Sequence, residues 1–291
     1  MKKIIFIFTL VISSFILVSC KENAIPKVQE KYKVELTSAE VKERLNKIDK
    51  TDNTAHLALN LNATGKQEGK PVLMEAKVDA KINKNSDILG KMELNLDVEG
   101  VKAKGKTDIY LVNSEERIYL NADLKVDINM GPMNNSTTIK GKYYQDMDFG
   151  IGGITPDTTT NLDLSEVLLD EKFINFLSEY TGATYYLNGD DFRVKIDFNN
   201  ALYLENKALI ESLFGTLTVD MEQIAAIDFS LVMVIIDNKF EEIGVSVSAN
   251  IVDGQNNMKL KLDANLKFGV KVEALPDFKD YKPFENGLFP F

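Results

Sequence analysis

The sequence has few of the residues on which most enzyme and metal sites depend. Among its 291 residues there is one cysteine, Cys20, one histidine, His56, and no tryptophan. A single cysteine cannot form an intramolecular disulfide, and a single histidine excludes a site in which two histidines hold a metal. His56 stands beside Asn60 and Asn62 on the polar side of a predicted strand, which favours a structural role over catalysis. The composition therefore predicts a protein that is not an enzyme and holds neither a metal nor a cofactor.

Carboxylates are abundant, but their spacing favours surface charges over a catalytic pair. Most of them alternate with lysines along predicted strands, as Asp263 does with Lys259 and Lys261. Side chains two positions apart lie on one face of a strand, where opposite charges on neighbouring strands pair in solvent. The prediction of a noncatalytic protein therefore extends to hydrolysis by paired carboxylates.

One stretch of the sequence is both long and apolar. It runs from Ile4 to Val18, directly after Lys2 and Lys3. A positive start followed by such a run is typical of an export signal, and the run is shorter than the ~20 residues that a membrane-spanning helix needs. Residues 1–19 are therefore predicted to be a signal peptide.

The apolar run ends in Leu17-Val18-Ser19-Cys20, and these four residues resemble the bacterial lipobox. The resemblance implies that the signal peptide is removed and that Cys20 carries a diacylglyceryl group. Two acyl chains are what stable anchoring to a membrane requires. We expect the mature protein in the cell envelope, on the outer face of the cytoplasmic membrane, or on the outer membrane of a cell that has two membranes.

The mature chain is acidic and contains one obvious linker. Loss of Lys2 and Lys3 takes the formal net charge from −10 to about −12, which disfavours nucleic acid as a partner. Residues 20–36 are polar, contain Pro26 and show no sustained period, so we expect a flexible tether there. Nothing rich in proline, glycine or serine divides the remainder, and residues 37–285 are predicted to form a single domain.

The domain begins with one predicted helix and continues in long strands. Thr37-Ser38-Ala39-Glu40 has the spacing of a capping box, and apolar residues then recur at helical spacing, which predicts a helix from Ser38 to Asp49. Apolar and polar residues next alternate for roughly a hundred positions, the pattern of strands with one dry face. Short turns such as Glu99-Gly100 and Asn188-Gly189 require antiparallel neighbours. The predicted strands include 57–61, 72–82, 92–98, 107–111, 118–130, 183–187, 192–198, 229–236, 244–252 and 258–272.

Two further apolar stripes at helical spacing predict helices that cover this sheet. One follows a start near Asp163 to Ser165 and consists of Phe173, Phe176, Leu177 and Tyr180. The other consists of Leu209, Ile210, Leu213 and Phe214. Long strands must twist and curl, which makes the dry face concave. The predicted fold class is α+β, mostly antiparallel β, with a large curled sheet (half-barrel) and helices packed on its concave face.

This order of parts resembles the lipoprotein-carrier superfold of LolA, LppX and LprG. The resemblance rests on the lipobox leader, the tether, a helix that leads into KIDKTDNTAHLALNLNATG, long strands interrupted by helices, and a closing strand that ends in VEALPD. It covers residues 36–278 and implies a cavity for a lipid or acyl chain between sheet and helices. The candidate wall residues are Met74, Met92, Leu96, Phe173, Phe176, Phe214 and Phe268. The same side chains would also suit a filled core, since every large sheet must cover its dry face.

The sequence leaves two functions open. The first is a noncatalytic, membrane-anchored lipoprotein that binds or transfers a lipid or other hydrophobic ligand in that cavity. The second is a surface interaction or structural lipoprotein without a small-molecule ligand. It would hold another envelope component through its acidic outer face or through an exposed loop such as Met130 to Thr138. No motif indicates the ligand, a protein partner or the number of copies.

Overall fold

The fold is built on one large sheet. The computed structural model describes residues 25–49, 54–67, 69–130, 133–146, 169–209, 224–253 and 256–284, and in these ranges thirteen strands form a single sheet. The strands are β1 (Lys33–Val34), β2 (Ala55–Gln67), β3 (Lys70–Ile82), β4 (Ile88–Val98), β5 (Val101–Val112), β6 (Arg117–Met130), β7 (Met133–Asp146), β8 (Ala183–Asn188), β9 (Asp191–Asn199), β10 (Ile224–Ile236), β11 (Lys239–Asp253), β12 (Asn256–Phe268) and β13 (Lys282–Pro283).

Two meanders make up the sheet. Strands β2 to β7 follow one another in chain order, as do β8 to β12, and β12 joins the two meanders by pairing antiparallel with β2. β1 lies at one edge beside β8, and β13 lies at the other edge, parallel to β7. The two edges do not pair with each other, so the sheet is the unclosed, curled half-barrel that was predicted.

One face of the sheet, which we call the inner face, is apolar. Leu57 and Leu61 of β2 point to it, opposite Leu266 and Leu262 of β12, and all four side chains are buried. Successive side chains of a strand point to opposite faces. The strict alternation in the sequence therefore makes the inner face dry and the outer face polar.

Helices cover one end of the inner face. The described residues contain α1 (Ser38–Leu45), α2 (Glu171–Glu179) and α3 (Asn200–Glu205). Val41 and Leu45 of α1 and Leu177 of α2 are at most 1% exposed and share one core with side chains from β2, β3 and β8 to β12. We call this the helix-covered core. None of the helices in these ranges is long and apolar enough to cross a lipid bilayer.

The capping box predicted at the start of α1 is confirmed. The Glu40 N–H donates to Thr37 Oγ1 at 3.3 Å, and the Thr37 N–H donates to the Glu40 carboxylate at 2.8 Å. These hydrogen bonds lower the pKa of Glu40. The helix ends at Leu45 rather than at the predicted Asp49, whose N–H donates to the Asn238 carbonyl at 2.8 Å instead of continuing the helix.

Two predicted boundaries are wrong. β12 ends at Phe268 rather than at residue 272, because Gly269 adopts a φ of +66° and turns its N–H toward the Thr54 carbonyl, 2.9 Å away. Residues 133–138 are not a loop, because β7 begins at Met133 and pairs with β6. Its polar residues gave no apolar alternation to detect. The predicted helix start near Asp163 to Ser165, and the stripe residues Ile210, Leu213 and Phe214, lie outside the described residues.

A C-terminal strap, residues 270–284, crosses the outer face after β12. Lys81 Nζ of β3 donates to both carboxylate oxygens of Glu273, at 2.6 and 2.8 Å. Phe278 stacks on Tyr119 of β6 with ring centroids 3.9 Å apart, and Tyr281 meets the same ring edge-on at 5.4 Å. An aromatic cluster therefore attaches the strap to an otherwise polar face before the chain forms β13.

Part of the predicted tether is bound to the opposite edge of the sheet. Arg193 Nη1 of β9 donates to the Lys27 carbonyl at 2.6 Å, and the Tyr186 hydroxyl of β8 donates to Glu30 Oε1 at 3.1 Å. β1 then pairs with β8. Residues 27–34, which we call the docked segment, therefore belong to the folded part, although a flexible tether was predicted as far as residue 36. Backbone pairing and single side-chain contacts hold this segment, and neither produces a sequence period.

Leu266→Ala should destabilise the fold much more than Leu260→Ala. Both leucines lie on the inner face of β12, but Leu266 is fully buried in the helix-covered core and Leu260 is partly exposed beyond it. Truncation of a packed leucine costs roughly 2–5 kcal/mol, and we expect the Leu260 variant to lose about half of that or less. Urea unfolding followed by circular dichroism measures both. Equal losses would contradict the difference in packing along this strand.

Stability should fall as the pH rises from about 10 to about 12. Burial raises the pKa of Tyr281 to about 12, and it also raises the pKa values of Tyr180 and Tyr186 to about 12. A folded pKa above the unfolded value means that the neutral phenol contributes stability, fully below the unfolded pKa and progressively less up to the folded one. Tyr281→Phe removes one such group. Its free energy of unfolding should therefore decline less steeply in urea titrations across this range, and an unchanged slope would count against the assignment.

Candidate functional site

The described helices leave part of the inner face without a helix over it. Beyond the helix-covered core, a second cluster contains Leu59, Leu61, Ala63, Met74, Ala76, Val245, Leu262 and Ala264, and none of the three described helices contributes to it. Around this cluster the inner-face side chains are only partly buried. They include Leu94, Leu96, Leu124, Ile139, Val247 and Leu260. We call this region the open face.

Strand register carries the open face across to the far edge of the sheet. Leu94 of β4 lies opposite Gly105 of β5, Gly105 lies opposite Leu124 of β6, and Leu124 lies opposite Ile139 of β7. Large side chains thus border a position with no side chain. The surface is grooved rather than flat.

A neighbouring row of the open face consists mainly of small residues. Met92 of β4 lies opposite Thr107 of β5, followed by Ala122 of β6 and Gly141 of β7. Thr107 and Ala122 are each 4% exposed, whereas Met92 beside them is partly exposed. The small side chains form the floor of the groove, and the larger ones form its sides.

Gly105 is required where β5 and β6 come together beneath this groove. A Cβ atom at this position would lie 2.1 Å from the Asp123 carbonyl oxygen and 2.8 Å from the Leu124 Cα. No side chain fits at those distances. Glycines at close backbone approaches accompany bends in curled sheets, and this one lies in the middle of the open face.

The open face offers almost no polar chemistry. Every inner-face side chain of β4, β5 and β6 is uncharged, and Thr107 is the one with a polar group. Its hydroxyl donates to the Asp108 carbonyl at 3.2 Å. A molecule on these three strands would therefore meet hydrocarbon, with no charged side chain to bind a headgroup.

The structure divides the predicted ligand-binding residues between two places. Met74 and Leu96 are directly opposite each other on β3 and β4, and Met92 lies on the same face, so these three belong to the open face. The three phenylalanines Phe173, Phe176 and Phe268 pack in the helix-covered core instead. Cys20 and Phe214 lie outside the described residues. A ligand contact of any of them stays a prediction.

Leu94, Leu124 and Ile139 are open-face residues that the sequence analysis did not select. Alternation in the sequence predicts which face each of them occupies. It does not predict which part of that face lies under a helix, because the ends of α1 and α2 meet the sheet through contacts distant in sequence. No local signal would have identified these three.

Charges of the outer face are paired between strands. Lys106 of β5 pairs with Glu93 of β4, and this hydrogen bond lowers the pKa of Glu93. Nε2 of His56 lies 3.2 Å from Asp79 Oδ1, also on the outer face. In the part of the chain that the structure describes, no group of three His, Cys, Asp or Glu residues is arranged to hold a metal ion. The outer face therefore has the solvated cross-strand pairs expected from the sequence.

A charged cleft of about 480 Å³ lies beside α1, next to the turns that follow β8 and β10. Its lining includes Glu40, Glu43, Arg44, Lys47 and Asp190. Lys47 pairs with Glu43 at 2.6 Å, and the Arg44 guanidinium lies over the Phe192 ring, 5.6 Å from its centroid. Walls with charges of both signs do not suit an apolar ligand. The open face is the better candidate site.

Solved structures of similar fold include two with recognisable names. LprF from Mycobacterium bovis has 11% identity and a TM-score of 0.30, and the match covers 84% of this chain and 99% of that chain. A LolA superfamily protein from Nitrosomonas europaea has 8% identity and a TM-score of 0.21, over 84% of this chain and 96% of that chain. No family model and no curated protein matches the sequence. The resemblance seen in the sequence thus recurs among solved structures as a likeness of fold, and the fold class itself rests on the strand order described above.

Proposed function

We propose that the mature chain is a membrane-anchored, noncatalytic lipoprotein of the cell envelope that holds a lipid or another long aliphatic molecule on its open face. The domain of residues 37–285 acts as one unit together with the docked segment. The supporting observation is an uncharged apolar face that continues past the helices, with Leu94, Leu96 and Leu124 partly exposed. Contiguous apolar surface of this kind on a folded chain marks a ligand groove or an interaction site.

The chemistry of the open face favours an alkyl chain. Each methylene that leaves water contributes about 0.8 kcal/mol, and the inner faces of β4 to β6 offer carbon contacts along their whole length. Met74 and Met92 have flexible side chains that adapt to ligands of different shape. A charged headgroup has no partner on these strands. It would therefore remain at the solvent-exposed rim.

Anchoring through Cys20 completes this proposal. The lipobox-like residues before Cys20 support it, and so does the absence of any second cysteine with which Cys20 could pair. A holder fixed to a membrane takes up and releases its ligand at that surface. It does not diffuse freely between membranes.

An interaction lipoprotein without a small ligand is the alternative, and one observation favours it. Residues Asn134 to Thr138 of β7 are all exposed. Among the described strands, only the two residues of β13 pair with the outer side of β7. A free strand edge of this kind can bind a strand from a partner protein.

Leu94→Lys should abolish ligand retention, whereas Asn95→Lys should not. Leu94 lies on the open face and Asn95 beside it on the outer face of the same strand. A lysine in the groove would have to leave water or expel the alkyl chain. The measurement is native mass spectrometry with solvent extraction of the chain from residue 21 onward, purified without detergent. We expect a bound species of defined mass in the parent and in the Asn95 variant only.

A parent protein that is free of ligand and refuses added lipids would contradict the binding proposal. In that case the free edge of β7 becomes the leading candidate. Crosslinking in intact cells, compared with a variant in which residues 134–138 are replaced, would then test the alternative.

Cys20→Ser should release the protein from membranes into the soluble fraction. Serine cannot form the thioether that carries the diacylglyceryl group, so the two acyl chains are lost. Fractionation of cells, with mass spectrometry of the N-terminal peptide, checks this. A Cys20→Ser protein that remains in the membrane fraction would show that another feature holds it there.

A further inference from the structure

We infer that the docked segment keeps the β8–β9 edge of the sheet close to the bilayer that carries the lipid anchor, so that this edge is the membrane-facing side of the protein. The inference rests on the anchoring of Cys20 in the proposed function. It goes beyond that proposal by naming the interaction surface and its partner, the phospholipid surface in which the protein itself is anchored.

The first step is the attachment of the docked segment. Asp191 holds the guanidinium of Arg193 from β9, with Nη2 and Oδ2 2.7 Å apart, and Arg193 in turn donates to the Lys27 carbonyl at 2.6 Å. The Tyr186 hydroxyl binds Glu30 at 3.1 Å, and Lys33 and Val34 pair with β8. Arg193 and Tyr186 are themselves directly opposite each other in the sheet. The segment is thus fixed at both of its ends to one edge.

The second step is the reach of the chain. A fully extended chain from Cys20 to Lys27 spans at most about 25 Å, whereas one from Cys20 to Leu36 would span about 55 Å. Leu36 packs against the helix-covered core, so it is where the folded part would begin if the segment were free. Docking at Arg193 therefore roughly halves the distance that the sheet can move away from the anchor.

The third step is charge. The docked segment contains the exposed residues Lys27, Lys31 and Lys33, and its one acidic residue, Glu30, is bound to Tyr186. The chain as a whole has a formal net charge of −10. A locally positive segment on an acidic protein is attracted to anionic headgroups, while the rest of the surface is repelled. This favours the β8–β9 edge as the side that meets the bilayer.

The test places a fluorophore at either edge of the lipidated mature protein on vesicles of phosphatidylcholine and phosphatidylglycerol that contain acceptor-labelled headgroups. Cys20 is the only natural cysteine and is acylated, so Asn188→Cys at the β8–β9 edge and Thr138→Cys on β7 each provide a single labelling site. Neighbouring strands lie about 4.8 Å apart, which separates the two edges widely along the sheet. We expect much stronger energy transfer from residue 188 than from residue 138.

Two insertions provide the matched control. Ten glycine and serine residues are inserted either between Lys21 and Glu22 or between Glu35 and Leu36. Such a stretch adds roughly 17 Å of average reach. With the segment docked, only the first insertion lies between the bilayer and the sheet edge, so only it should lower the transfer from residue 188. With the segment free, both insertions would lower it equally.

The outcomes separate this inference from the function on which it rests. Flotation with the vesicles, combined with equal transfer from both edges or equal effects of the two insertions, would overturn the inference and leave the anchor and the ligand proposal intact. Failure to float with vesicles would overturn the anchor and this inference with it. Ligand retention, measured separately by mass spectrometry, is unaffected by either result.

Discussion

The dry face of the long antiparallel sheet is the constraint on which the rest of the structure depends. Alternation along each strand places apolar side chains on one side, and a sheet of this size must remove all of them from water. In the described part of the chain, α1 and α2 cover only the end where Ala55 and Ile82 lie. Curling of the sheet, made possible by close approaches such as that at Gly105, brings part of the remainder together. What is left is the open face, and its partial exposure is the physical reason to expect a ligand.

Both ends of the described chain stabilise the sheet at its edges. A long edge strand exposes unpaired backbone groups and invites pairing with other chains. β1 lies beside β8 at one edge and β13 beside β7 at the other, and each is only two residues long. The strap reaches its edge through the Tyr119–Phe278 stack, and the docked segment reaches the other through Arg193 and Tyr186. Both contacts lie on the outer face, so the dry face stays free of them.

This division of labour connects the fold with the proposed function. The helix-covered core has the closely packed side chains that stabilise the fold, including Leu45, Leu177 and Leu266. The open face is less tightly packed and can exchange its occupant without loss of that core. The docked segment would keep the whole unit near one bilayer, where an aliphatic ligand is available. A holder built this way would serve the membrane to which it is attached, rather than carry cargo over long distances.

Local features of this protein were determined by its sequence alone. The Thr37–Glu40 capping box, the hairpin at Asn188-Gly189 and the apolar side of almost every long strand depend on neighbouring residues, and the structure has them where they were predicted. The polar strand β7 was missed because its Asn, Ser and Thr residues lack apolar alternation. Only the tertiary structure decided that β12 pairs with β2, that residues 27–34 bind the β8–β9 edge, and that the helices stop short of Leu94 and Leu124. These arrangements join segments far apart in the chain, and no period or short motif records which distant surfaces will meet.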